Sequence, residues 1–274
     1  MSATAQHKKM TPVTIAARKA KNGDAPVVCL TCYTHYMAQI MDSMVDVMLV
    51  GDSLGMVVYG CGSTMETTLD MMIAHGKAVT RGADKSCVVV DMPFGTYQES
   101  PQLAYRNAAR IMAETGCDAV KVEGGVEMAD TIDFLVQRGI PVMAHIGLKT
   151  AISANARRVC GSRQKHKSAR DAMMADAKAV ERAGAFSVVL ECLMAEIADD
   201  ITAALDIPTI GIGASVACDG QILVTEDMLS LTSGRKPKFV KPFGNARDEI
   251  AHAVKKYADE VRAKTFPSED YMYK

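Results

Sequence analysis

The 274-residue chain carries 31 Lys and Arg against 32 Asp and Glu, a formal net charge of −1. It therefore lacks the basic excess of a chain that coats nucleic acid. Hydrophobic residues make up 49% and charged residues 23%, which fills a core and excludes a disordered chain. No apolar stretch approaches the ~20 residues of a membrane span, so no membrane partner is expected.

Residues 1–10 read as a flexible tail. Lys8, Lys9, Arg18, Lys19 and Lys21 precede the first acid, Asp24, but no apolar leader accompanies them. Secretion is disfavoured and a cytoplasmic location is expected. A short helix over Val13–Ala20 leads to a strand at Val27–Cys32 and another at Val45–Gly51. A helix spans Thr67–Gly82, with Thr67-x-x-Asp70 as its capping signal. The strand Cys87–Asp91 follows. The next helix opens at Ser100-Pro101 and stops at Gly116. Strands at Ala119–Glu123 and Pro141–His145 come next. The stretch Leu148–Arg170 then holds seven Lys and Arg, with His166 and no acid. It reads either as a solvated loop or as a collar for an anionic ligand. Beyond it come a helix (Ala169–Gly184), a strand (Ser187–Glu191), a helix (Leu193–Leu205), strands at Pro208–Ile212 and Gln221–Val224, and a charged amphipathic helix (Ala246–Lys264).

Most of the eight strand runs are continuously apolar, as in parallel strands buried on both faces. Eight strands alternating with helices predict one α/β domain over 1–274, a (β/α)8 TIM barrel with a short N-terminal helix. An open doubly wound sheet is the rival. Cys29 and Cys32 have C-x-x-C spacing. On a strand, however, i and i+3 face opposite ways, so they are read as core residues and not as a metal or redox pair.

The chemistry lies at the strand ends. Asp52, Asp91, Glu123, His145 and Glu191 each close an apolar run. In a barrel those ends form the face that carries active sites. Lys121 and Glu123 are two apart and share a face, so inward-pointing they need partners. Asp52, Asp91 and Glu123 are oxygen donors suited to Mg²⁺, which takes one or two carboxylates and leaves room for water and substrate. A structural salt-bridge network is the alternative reading. Gly211-Ile212-Gly213-Ala214-Ser215 lacks the third glycine of a dinucleotide fingerprint.

The blocks Val50-Gly51-Asp52-Ser53-Leu54-Gly55-Met56, Asp91-Met92-Pro93-Phe94 and Val120-Lys121-Val122-Glu123-Gly124-Gly125 resemble those of the ketopantoate hydroxymethyltransferase family. His145-Ile146-Gly147-Leu148, Leu190-Glu191-Cys192 and Asp219-Gly220-Gln221-Ile222-Leu223-Val224 continue the likeness in order. The resemblance implies a barrel of the phosphoenolpyruvate/pyruvate superfamily, assembled as a homodecamer. It implies Mg²⁺ and 5,10-methylenetetrahydrofolate, and transfer of a hydroxymethyl group to 3-methyl-2-oxobutanoate in pantothenate and coenzyme A synthesis. By position, Asp52 and Asp91 would bind Mg²⁺ and contact the substrate, with Glu123 in the metal's surroundings. Ser53 and Lys121 would bind the 2-oxo acid. Glu191 would take the proton, with His145 as the secondary candidate. The chain departs from the family at Thr34, usually Asp, at Ser215, usually Gly, and in the loop Ser153–Gly161.

Two other readings differ in class. A lyase or mutase of the same superfamily would use the same metal chemistry without folate. A barrel without activity would keep the fold for interaction only.

Overall fold

The apolar runs become eight parallel strands, closed into a barrel in sequence order. The computed structural model describes residues 9–148, 167–234 and 236–273. In chain order the first compact unit, Met1–Val224, holds α1 (Pro12–Ala16), β1 (Val27–Thr31), α2 (His35–Met41), β2 (Val47–Val50), α3 (Leu54–Val57) and α4 (Leu69–Thr80). It continues with β3 (Cys87–Asp91), α5 (Pro101–Thr115), β4 (Ala119–Glu123), α6 (Ala129–Val136) and β5 (Val142–Gly147). It ends with α7 (Lys167–Arg182), β6 (Ser187–Glu191), α8 (Ala195–Ala204), β7 (Thr209–Ile212) and β8 (Gly220–Leu223). The second unit, Thr225–Lys274, holds α9 (Thr225–Met228) and α10 (Ala246–Arg262). No described helix is long and apolar enough to cross a membrane.

Period 2 divides each strand between two cores. Val27, Cys29, Val47, Leu49, Cys87, Val89, Ala119, Met143, Val189, Ile210 and Ile222 belong to one cluster, the filling of the barrel. Ile15 of α1 joins it, at the end where strands begin, since Met10 N–H donates to Lys85 O just before β3. Met48, Val50, Val88, Val90, Val120, Val122, Ala144, Val188 and Leu190 belong to the second cluster, shared with the helices. Cys29 lies in the first cluster and Cys32 in the second, as their spacing predicts. Burial pushes the Cys29 and Cys87 thiols far up, so both behave as small hydrophobes.

The ends of α5 match the sequence signals. Ser100 accepts from Leu103 N–H, Pro101 opens the helix, and Gly116 takes the left-handed conformation at φ 72°. Other boundaries differ. Thr68, not Thr67, caps α4, accepting from Met71 N–H. Thr67 instead donates its hydroxyl to Asp52 O at 2.9 Å, so it braces the loop that carries Asp52. The first helix stops at Ala16, and Ala20–Asn22 form a separate 3-10 turn. The helices α2 and α6 were not among the segments the sequence singled out.

Of the expected tail, residues 1–8 lie outside the described residues. Met10 is tied to Lys85, and Lys9 Nζ pairs with Asp118 at 3.2 Å. Residues 149–166 of the basic stretch also lie outside the described residues. Arg170, at its end, sits on α7 and pairs with Asp200 at 2.8 Å and Glu196 at 3.4 Å on α8.

Candidate active site

The barrel register carries the polar strand ends to one rim. Asp91 stands beside Lys121, Glu123 beside His145, and Gly147 beside Glu191. Each is in phase with the apolar residues that fill the barrel, so the shared face of Lys121 and Glu123 is the interior, as is that of Val189 and Glu191.

Asp91 and Lys121 are both buried, and Lys121 Nζ lies 2.7 Å from Asp91 Oδ1. Burial alone would lower the Lys121 pKa, but the charges of Asp91 and Asp52 outweigh it and hold the ammonium above its ordinary value. The other oxygen of Asp91, Oδ2, accepts from Asp52 N–H at 3.0 Å. That bond fixes the turn after β2, with Thr67 on its other side.

Asp52 is pushed up to about 7, first by burial and then by the Asp91 charge, against the pull of Lys121. Folded, this carboxyl binds more protons than its unfolded counterpart between about pH 4 and pH 7. Its contribution to stability is therefore present at low pH and lost as pH rises through 7. A cation held by the ionised pair reverses that trend. The rise in melting temperature caused by Mg²⁺ should be larger at pH 8 than at pH 6. An equal rise at both would show that Asp52 does not hold the ion.

His145 is buried between two carboxylates. Its Nε2 lies 3.1 Å from Glu191 Oε2 and its Nδ1 3.8 Å from Glu123 Oε2, though neither contact has hydrogen-bond alignment. Glu123 is thus turned along the rim towards His145. Its main-chain carbonyl accepts from the buried Tyr97 hydroxyl at 3.2 Å. Burial, and then the Glu123 charge, push the Tyr97 phenol well up, so it stays a neutral donor.

Gly147 sets the seat of Glu191. It has φ +107°, and a Cβ there would meet the carbonyl oxygen of Glu191. Leu148 N–H donates to that same carbonyl at 3.0 Å. Only glycine permits both this conformation and this approach.

Among the described residues, no three His, Cys, Asp or Glu side chains form a ready metal cage. The donor set still fits Mg²⁺, which needs one or two carboxylates with water and substrate oxygens completing its shell. Asp91 Oδ1 is a buried oxygen with no aligned hydrogen-bond partner. The mutual repulsion of Asp52 and Asp91 is what a divalent cation relieves. Asp52 and Asp91 are the candidate direct ligands, with Glu123, on the strand beside that of Asp91, a candidate for the ion's surroundings.

Sequence reasoning missed Tyr33, Thr67 and Tyr97. Tyr33 follows β1 but packs its ring into the core shared with the helices, out of phase with Val27 and Cys29, so the strand periodicity does not mark it. Two of the three departures have local explanations, while Ser153–Gly161 lies outside the described residues. Thr34 caps α2, accepting from Met37 N–H. Ser215 Oγ bonds Asp199 of α8 and accepts from Ala217 N–H.

Fold and rim define an enzyme of the (β/α)8-barrel class, with four carboxylates, a lysine and a histidine at the strand ends. Solved structures share that fold. 2,3-Dimethylmalate lyase, a PEP mutase/isocitrate lyase superfamily member, aligns at TM-score 0.60 and 17% identity, covering 96% of this chain and 91% of the other. Phosphoenolpyruvate phosphomutase from Streptomyces platensis aligns at TM-score 0.58 and 12% identity, covering 92% and 89%. The chain belongs to the ketopantoate hydroxymethyltransferase family, which residues 9–269 match. Relatives named 3-methyl-2-oxobutanoate hydroxymethyltransferase are 53% identical in Rhizobium etli, over 100% of this chain and 99% of the relative. In Sinorhizobium fredii the identity is 50%, over 100% and 98%.

Proposed function

We propose that this enzyme transfers a hydroxymethyl group from 5,10-methylenetetrahydrofolate to 3-methyl-2-oxobutanoate, giving 2-dehydropantoate. The observation that carries the reading is the gathering of Asp52, Asp91, Lys121, Glu123, His145 and Glu191 at one rim, within a chain of this family.

Asp52 and Asp91 would hold Mg²⁺, which when bound supplies Lewis acidity that stabilises the enolate of the 2-oxo acid. Lys121, kept charged beside Asp91, offsets negative charge on the substrate. Ser53 binds the carboxylate. Glu191 takes the C3 proton, with His145 Nε2 3.1 Å from its carboxylate. C3 then bonds to the one-carbon unit and water supplies the hydroxyl oxygen, while both carbon–nitrogen bonds to the folate break and tetrahydrofolate leaves, its two nitrogens gaining the C3 proton and a proton of the water. The folate carries the reactive carbon while the protein supplies position and field.

The test is incubation with 3-methyl-2-oxobutanoate, methylenetetrahydrofolate and Mg²⁺. Product should form only when all three are present, and turnover without folate would replace this reading with the lyase or mutase one. A second measurement concerns the metal. Mg²⁺ with 2-oxo acid should stabilise the protein by about 2.7 kcal/mol at 100 times the dissociation constant. Asp52→Ala and Asp91→Ala should each abolish that gain, and its survival in both would remove them as ligands.

A cytoplasmic homodecamer remains part of the proposal. Helix α10 supports self-association. It buries no residue, and Ile250, Val254, Tyr257 and Val261 line one exposed face. Light scattering should give ten times 29.4 kDa.

A further inference from the structure

Tyr33 lies two residues beyond β1 and is only 2% exposed. Its ring belongs to the core shared with the helices. Its phenol oxygen nevertheless lies 2.8 Å from Ser53 Oγ. These hydroxyls and Asp91 surround the α-carbon of Gly51. A Cβ there would stand 2.9 Å from Ser53 Oγ, and 3.6 Å from both Asp91 Oδ2 and Tyr33 Oη. Glycine thus keeps a polar recess open one residue before Asp52.

The backbone of Tyr33 is held as well. His75 Nδ1 lies 2.7 Å from Tyr33 O, and a carbonyl only accepts, so Nδ1 carries the proton. In the neutral ring Nε2 then accepts from Tyr59 Oη, at 3.0 Å. The phenol therefore reaches Ser53 from a ring and a main chain that are both fixed.

We propose that Tyr33 is a positioning residue for the substrate carboxylate, acting through Ser53. The inference rests on the reading of Ser53 as the carboxylate's ligand, and it follows from counting protons. Each hydroxyl has one. If Ser53 donates to Tyr33, it turns lone pairs towards an arriving carboxylate, and the two repel. If Tyr33 donates to Ser53, the serine proton is left for the carboxylate. The phenol is the more acidic hydroxyl and the better donor, so the second order is favoured. The bond it donates also polarises the serine O–H and strengthens the next bond in the chain.

Tyr33→Phe keeps the ring and deletes the hydroxyl. Steady-state kinetics of the full-length enzyme should show a KM for 3-methyl-2-oxobutanoate about 3- to 10-fold higher. The kcat should stay within about twofold, because the carboxylate does not react and is held alike in ground and transition states. Ser53→Ala should raise KM by about 10-fold or more, since it removes a bond to a charged group. In the Ser53→Ala background, Tyr33→Phe should then change KM by less than about twofold. If the two effects multiply, or if Tyr33→Phe alone leaves KM unchanged while Ser53→Ala raises it, the role assigned to Tyr33 is wrong. If Ser53→Ala itself leaves KM unchanged, the reading of Ser53 fails first and the proposal falls with it.

Discussion

Glu191→Gln should still bind Mg²⁺ and 3-methyl-2-oxobutanoate, yet exchange the C3 proton with deuterated water about 10²–10⁴-fold more slowly. The substitution keeps the shape of the side chain and removes its basicity. Glu191 closes β6 on the interior face, next to Gly147 and Ile212 in the register. It stands apart from the Asp52–Asp91–Lys121 group, with β5, the strand of His145, between β6 and the strand that carries Lys121. A metal ligand there would lose binding when neutralised, whereas a general base loses only proton transfer. Asp91→Asn is the contrast. Asp91 Oδ1 pairs with Lys121 and Oδ2 holds the Asp52 amide, so this variant should lose metal binding and exchange together. NMR exchange in deuterated water separates the two outcomes. Wild-type exchange in Glu191→Gln would remove it as the base and leave His145, 3.1 Å away, as the next to replace.

The rim was legible because two periodicities agree. Apolar runs gave the strands, and period 2 within Lys121 and Glu123 gave the face. Cys87–Asp91, Ala119–Glu123 and Ser187–Glu191 have the same bounds in sequence and structure. What hid Tyr33 was burial from the other side. Its ring belongs to the helix-side core, and only its oxygen enters the site, so a residue-level reading files it with the apolar filling. Thr67 was hidden by an adjacent residue of the same type. Either threonine can cap a helix, and the backbone gave that task to Thr68 and left Thr67 to Asp52. Gly147 was legible only as part of a motif. Its reason is a long-range approach to the Glu191 backbone, which no local pattern encodes. The family likeness, by contrast, needed no geometry, because its blocks fall on the strand ends themselves.

Lys19→Met should cost about 3–5 kcal/mol of unfolding free energy, or about 6–20 °C in melting temperature. In the sequence Lys19 is one of several basic residues near the start, with nothing to mark it. In the fold it is 3% exposed, and its ammonium has three acceptors for three protons. These are Asp219 Oδ2 at 2.7 Å, Thr202 O at 3.1 Å and Ile207 O at 3.2 Å. Asp219, also buried, accepts further bonds from Ala20 N–H at 2.8 Å and Thr209 N–H at 2.8 Å. Its own carbonyl accepts from Val27 N–H at 2.8 Å, where β1 meets β8. The pair therefore locks the segment before β1 onto the seam that closes the barrel. Methionine keeps the apolar stem but leaves the Asp219 carboxylate buried without its counter-charge, and that uncompensated charge is the source of the cost. Adding Asp219→Asn should recover part of it, because the neutral amide no longer needs a cation. Lys21, on the same segment, is the control. Its ion pair with Asp206 is open to solvent on both sides, so Lys21→Met should leave the unfolding midpoint near that of the wild type. Urea unfolding of the four proteins at one fixed concentration gives the comparison. A Lys19→Met midpoint no lower than that of Lys21→Met would show that the seam holds without the buried pair.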